Sequence, residues 1–165
     1  MADPPEEERT EDLPAEPAER VQAVLEQVLS ALELDGEIEI EEDEETILAR
    51  VDGEDLGLLI GRRGSTIDAV QLLCYRAAFV GTPDRKRVAV DAAGYRERRR
   101  DVLDREADCA ARHALDAGRP VQLEPMSPSE RRVVHDRLKE RPEVETYSEG
   151  EEPERGVVVA PLVSD

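Results

Sequence analysis

Two short groups of residues in this sequence have the types and spacing to hold a phosphate chain. The first is Gly61-Arg62-Arg63-Gly64. Glycine lets a backbone approach a sugar-phosphate chain closely. A helix starting after Gly64 would aim free N–H groups and the positive end of its dipole at the loop. Arg62 and Arg63 add charge-assisted, bidentate contacts. Ile60, Ile67 and Val70 flank the loop and are expected to form an apolar floor for bases. The second group is Arg131 and His135, spaced i, i+4 and so on one helix face. Arginine is always charged, and histidine can donate without being a strong fixed charge. The pair is expected to grip one phosphate.

Taken alone, neither group is specific. Many helix–helix turns contain two glycines, and an Arg-x-x-x-His spacing recurs by chance as a surface arginine beside a satisfied histidine. Arg96, Arg99 and Arg100 share a face of a predicted long helix. The interleaved Asp101 and Asp104 make a solvated face as good a reading as a phosphate track. Cys74 and Cys109 fall in helical apolar patterns and read as reduced core residues. With no Cys-x-x-Cys pair near His113 or His135, no zinc site or other cofactor is expected. There is no Walker loop, nucleophile elbow or paired-carboxylate metal signature, so an enzyme is not expected. His135 beside Arg131 could do acid–base work on phosphates, but nothing supplies a nucleophile or metal.

These residues need elements to position them. Val21, Val24, Leu25, Val28, Leu29 and Leu32 mark an amphipathic helix over 17–34, with Pro17 in its first turn. Ile38 and Ile40 alternate with glutamates as in a half-buried strand, and residues 46–52 read as a second strand. A short apolar helix, the glycine loop and a second helix through about Phe79 follow. Ile67, Val70, Leu73, Cys74 and Ala77 are predicted to share the inner face of that second helix. Residues 87–90 make a third strand. A long helix is predicted from about Tyr95 to Ala117, with Gly118 as its stop. Val121 to Leu123 suggest a short strand. Ser127-Pro128-Ser129-Glu130 reads as a capping box opening the helix that carries Arg131 and His135. Val144–Tyr147 and Val157–Ala160 are predicted to pair as a hairpin.

At 165 residues, the chain has room for two small domains. One Phe, three Tyr and no Trp leave the cores to aliphatic side chains. The net charge of −19 is unevenly spread. Residues 1–55 carry 21 acids and 3 bases, residues 56–142 carry 13 acids and 18 bases, and residues 143–165 carry 7 acids and 1 base. A basic middle between acidic ends keeps a nucleic-acid surface open. Residues 1–16 are Pro-, Glu- and Asp-rich and read as a disordered acidic tail. There is no apolar run long enough for a membrane span and no signal-peptide pattern, so a soluble, cytoplasmic protein is expected.

The order helix, strand, strand, helix, helix, strand, with the glycine loop between the last two helices, resembles a bacterial type II KH domain over residues 18–91. The run from Glu124 to His135, and the run from Thr146 to Arg155, closely resemble the R-three-H domain of the Jag (KhpB) family. Asp91-Ala92-Ala93-Gly94-Tyr95-Arg96-Glu97-Arg98-Arg99 resembles the junction before it. The resemblance implies an α+β fold. It sets a KH domain at 17–92 and a long helix leading into a small α/β R-three-H domain at 93–165. It implies single-stranded RNA as ligand, with single-stranded DNA as the other candidate, since a KH loop clamps unstacked nucleotides. By the same resemblance, Ile60, Gly61, Arg62, Arg63, Gly64, Ile67, Arg131, His135 and Arg155 are the RNA-contacting residues. A post-transcriptional regulator or RNA chaperone linked to envelope growth and division follows. The alternative is an adaptor for the membrane insertase or a small KH-domain partner. Two departures stand out. Jag proteins typically carry a further N-terminal domain where this chain has the acidic tail. Many also have a second arginine where this chain has Gly156.

Overall fold

The computed structural model describes residues 14–162, so most of the acidic tail expected over 1–16 lies outside the described residues. Pro14 and Ala15 are tied down rather than loose. Arg20 donates from Nε to the Pro14 carbonyl (2.6 Å) and from Nη2 to that of Ala15 (3.4 Å). Its Nη1 meets the Ala78 and Val80 carbonyls at 3.2 and 3.1 Å. Two compact units follow, one ending at Tyr95 and the other beginning at Arg96.

The first unit runs α1 (Pro17–Ala31), β1 (Glu37–Glu42), β2 (Thr46–Asp52), α2 (Gly57–Ile60), α3 (Ser65–Ala78) and β3 (Arg87–Ala92). Its sheet has the order β1-β2-β3, with β1 and β2 antiparallel and β2 and β3 parallel. Parallel neighbours need a long crossover, and α2, the glycine loop and α3 supply it. Period-two alternation turns Ile47, Ala49 and Val51 inward beside Val88, Val90 and Ala92, where they meet Val21, Leu25 and Leu29 of α1. On the opposite face, Arg50 reaches Glu41 at 2.8 Å and Glu39 at 3.9 Å.

The buried stripe of α3 is Ile67, Val70, Cys74 and Ala78. Leu73, predicted on that face, is 56% exposed. It lies about 100° around the helix from Cys74, and the spacing 67, 70, 74, 78 draws a stripe too narrow to include it. Ala77 is likewise only half-buried.

The second unit runs α4 (Tyr95–Ala117), whose first residue closes the first unit, then β4 (Val121–Gln122), α5 (Pro128–Leu138), β5 (Val144–Glu149) and β6 (Gly156–Pro161). The sheet order is β4-β6-β5, antiparallel throughout. Leu103, Ala107, Ala110, Ala111 and Ala114 of α4 pack with Val134, Leu138, Val144, Val157 and Val159. Cys109, expected in the core, is only half-buried because it lies off the α4 stripe. Asp108 joins α4 to α5 by accepting from Arg137 (2.6 Å) and Arg141 (2.9 Å). The hydrogen bond from Arg137 holds the Asp108 carboxyl below the usual carboxylate range.

Candidate functional site

The glycine loop is built from backbone conformations that few residues adopt. Gly61 sits at φ 73°, ψ 178°, a region reserved for glycine. A side chain there would run into Thr66, whose backbone nitrogen would lie 2.8 Å from the new Cβ. Arg63 (φ 53°) and Gly64 (φ 78°) are both left-handed. A single 3-10 turn over residues 62–64, closed by Gly64 N–H to the Gly61 carbonyl at 3.3 Å, connects directly to α3. Arg62 is exposed and Arg63 half-buried at the N-terminal end of a 14-residue helix. Asp68 lies in the first turn of the same helix and complements its dipole from the protein side.

Ile60 is half-buried at the loop. Ile67 and Val70 are not a floor for bases: they are 0% and 4% exposed and belong to the core beneath the loop. The first two turns of α3 point both side chains inward, into the core. Sequence spacing could not separate support from contact here, because both require apolar side chains.

In the second unit, the capping box forms as predicted. Ser127 Oγ accepts from Glu130 N–H (3.3 Å), and Glu130 accepts from Ser127 N–H (2.9 Å). The second oxygen of Glu130 accepts from Arg99 Nε at 2.7 Å, a role for Arg99 that the helix pattern did not signal. Arg131 does not face solvent. It is 9% exposed, donates from Nη1 to the Met126 carbonyl (2.9 Å) and pairs through Nη2 with Glu152 (2.7 Å). A neighbouring carboxylate holds this guanidinium, so it does not stand open for the expected joint grip on one phosphate. His135 is half-buried against β5, with Nδ1 at 2.7 Å from Thr146 Oγ1 and Nε2 at 3.1 Å from Ser148 Oγ. Burial pushes its pKa below the ordinary histidine value, helped by the Arg131 charge and opposed by Asp136. Arg155 donates from Nη2 to the Ser148 carbonyl (3.4 Å), and its Nε is buried. At Gly156 a Cβ would lie 2.7 Å from the Leu123 carbonyl, so the backbone leaves no room there for an arginine side chain without a shift. Arg132, not singled out from the sequence, is the exposed arginine of the motif, with 83% of its side chain accessible.

A cavity of about 800 Å³ lies elsewhere in the first unit, lined by Glu33, Asp35, Glu37, Asp52, Glu54 and Asp55. Its carboxylates repel phosphate, so it is not the place for a nucleic-acid backbone. No metal-binding cluster of His, Cys, Asp or Glu occurs among the described residues. No helix among them is long and apolar enough to cross a membrane.

A three-stranded sheet with one parallel pair, and a Gly-x-x-Gly loop between two helices inside its crossover, define a KH domain. The second unit, with its capped Arg-x-x-x-His helix on an antiparallel sheet, is an R-three-H domain. Family models agree: the KhpA/KhpB KH-domain model matches residues 18–91, and the R-three-H domain model matches residues 101–161. The chain is 39% identical over 138 residues to the RNA-binding protein KhpB of Clostridium symbiosum, covering 82% of this chain and 62% of that protein. It is 32% identical over 147 residues to the Bacillus subtilis RNA-binding protein KhpB, covering 88% and 71%. A third relative of the same name, from Lactiplantibacillus plantarum, is 41% identical over 104 residues, of which this chain spans 32% of the length. The chain belongs to the KhpB family.

Proposed function

We propose that this protein binds single-stranded RNA through the Gly61–Gly64 loop of a KH domain spanning 17–92, assisted by an R-three-H domain spanning 93–165. The observation that carries this reading is the loop itself. Its glycines adopt conformations that a side chain would block, and they hold Arg62 and Arg63 at the start of α3. The relatives are named RNA-binding proteins, which supports the same ligand. Ile60 is the apolar contact we assign beside the loop, and Ile67 its support. In the second domain we assign His135 and Arg155 to the RNA-facing surface, with Arg131 as the internal brace. We assign no catalysis, and we place the action in the cytoplasm, as post-transcriptional regulation or RNA chaperoning linked to envelope growth and division.

A second reading, an adaptor that docks a small KH-domain protein or the membrane insertase, is favoured by Leu58, Leu72 and Leu73, which are 63%, 55% and 56% exposed. Apolar exposure of this kind suits a protein partner.

The test is Arg62→Asp combined with Arg63→Asp. Arg62 is exposed, and Asp tolerates the left-handed conformation at position 63. The expected result is an unchanged melting temperature with single-stranded RNA affinity lost. Retained affinity sinks the loop assignment. RNA crosslinking in cells, set against a pull-down after RNase treatment, separates regulator from adaptor.

A further inference from the structure

Gly64 is buried, and a Cβ on it would lie 2.8 Å from Cε1 and 3.0 Å from the hydroxyl of Tyr95. The tyrosine ring thus occupies the space a side chain at Gly64 would need. Tyr95 lies 31 positions along the chain from Gly64, and a tight turn brings it there. Ala93 (φ 49°) and Gly94 (φ 67°) are both left-handed, and Ala93 N–H bonds the Val51 carbonyl at 2.9 Å. After this turn α4 begins at Tyr95, whose ring packs on the core of the first unit.

The loop needs such a wall. Gly61, Arg63 and Gly64 all have positive φ. Sparsely populated backbone conformations persist only where the surroundings over-determine them. Thr66 constrains Gly61 from within the loop–helix segment. From outside that segment, Tyr95 meets the loop at its last residue, where the chain enters α3. A rigid ring with two torsions is suited to this role, since it loses little entropy when fixed.

We propose that Tyr95 is a positioning residue for nucleic-acid binding, its ring seating Gly64 so that Arg62, Arg63 and the first N–H groups of α3 meet the phosphates in a fixed geometry. This rests on the reading that the Gly61–Gly64 loop binds RNA. It assigns Tyr95 no contact with the ligand.

The experiment measures affinity of the full chain for a short, randomised single-stranded RNA pool, well below the melting temperature. Four proteins are compared: wild type, Tyr95→Leu, Tyr95→Phe, and Arg62→Asp with Arg63→Asp. Tyr95→Leu removes the flat wall and is expected to weaken binding about 10-fold, within the range for coupled neighbours. Tyr95→Phe keeps the ring and is expected to restore affinity to within about 2-fold of wild type. Amide resonances of residues 61–65 should shift in Tyr95→Leu and not in Tyr95→Phe. Should Tyr95→Leu fail to fold, Tyr95→Met, which keeps apolar bulk without a rigid ring, is read on the same scale. Wild-type affinity in the Leu or Met variant, with binding lost in the double arginine variant, overturns the positioning role and leaves the loop assignment standing. Binding retained in the double arginine variant overturns both.

Discussion

Arg131 and Glu152 are paired at 2.7 Å, which ties the arginine of the Arg-x-x-x-His helix to the connection between β5 and β6. The same guanidinium satisfies the Met126 carbonyl just ahead of the helix. The arginine is a clasp between two loops of the second unit.

Arg131→Ala should therefore act first on stability. Leaving a buried carbonyl without its donor costs about 1–3 kcal/mol. Glu152→Gln, at a half-exposed position, should cost under about 1 kcal/mol. Hydrogen exchange of β5 and β6 amides measures both. The salt dependence of RNA affinity should be unchanged in Arg131→Ala. A log–log slope flattened by roughly 0.7 would show that the guanidinium leaves Glu152 for a phosphate.

His135 makes stability pH-dependent in a definite direction. Burial lowers its folded-state pKa below the ordinary value of about 6.5, so the unfolded chain binds the proton more readily. Its contribution is fully present above about pH 6.5 and is lost as the pH falls through that value toward the lower folded-state pKa. His135→Gln should flatten this part of the curve. Urea denaturation of both proteins across that window checks it, and parallel curves would refute it.

Gly61→Ala should destabilise the first unit by about 1–3 kcal/mol, because the backbone conformation excludes a side chain and Thr66 fills the space. Gly57→Ala is the control, since a Cβ there meets nothing within 4 Å. Thermal melting of the two variants should separate them clearly.

The two thiols should differ in reactivity. Burial pushes the Cys74 thiol up to about 12, and its side chain is fully enclosed. Cys109 is half-buried. In the native protein an alkylating reagent should label Cys109 and leave Cys74 unmodified, while both should react in denaturant. Mass mapping of the labelled peptides reads the result; equal native labelling would contradict the packing of α3.

The sequence alone determined whatever depends on near neighbours in the chain. Period-two alternation marked β1 and β2, the i, i+3, i+4 pattern marked α1, and Ser127 to Glu130 declared the start of α5, because each signal is written within a few residues. Gly61-Arg62-Arg63-Gly64 was legible for the same reason: both its strain and its charge are local. Tertiary structure decided which side of each element faces inward and which distant groups meet. Leu73 and Ile67 are both apolar residues on one helix, yet one is exposed and the other buried, and only the packed sheet distinguishes them. Arg131 and Glu152 are 21 positions apart, Arg99 and Glu130 are 31 apart, and so are Gly64 and Tyr95. No local periodicity encodes such pairings, because the free energy that selects them comes from burying the cores, and that burial exists only once the chain has closed on itself.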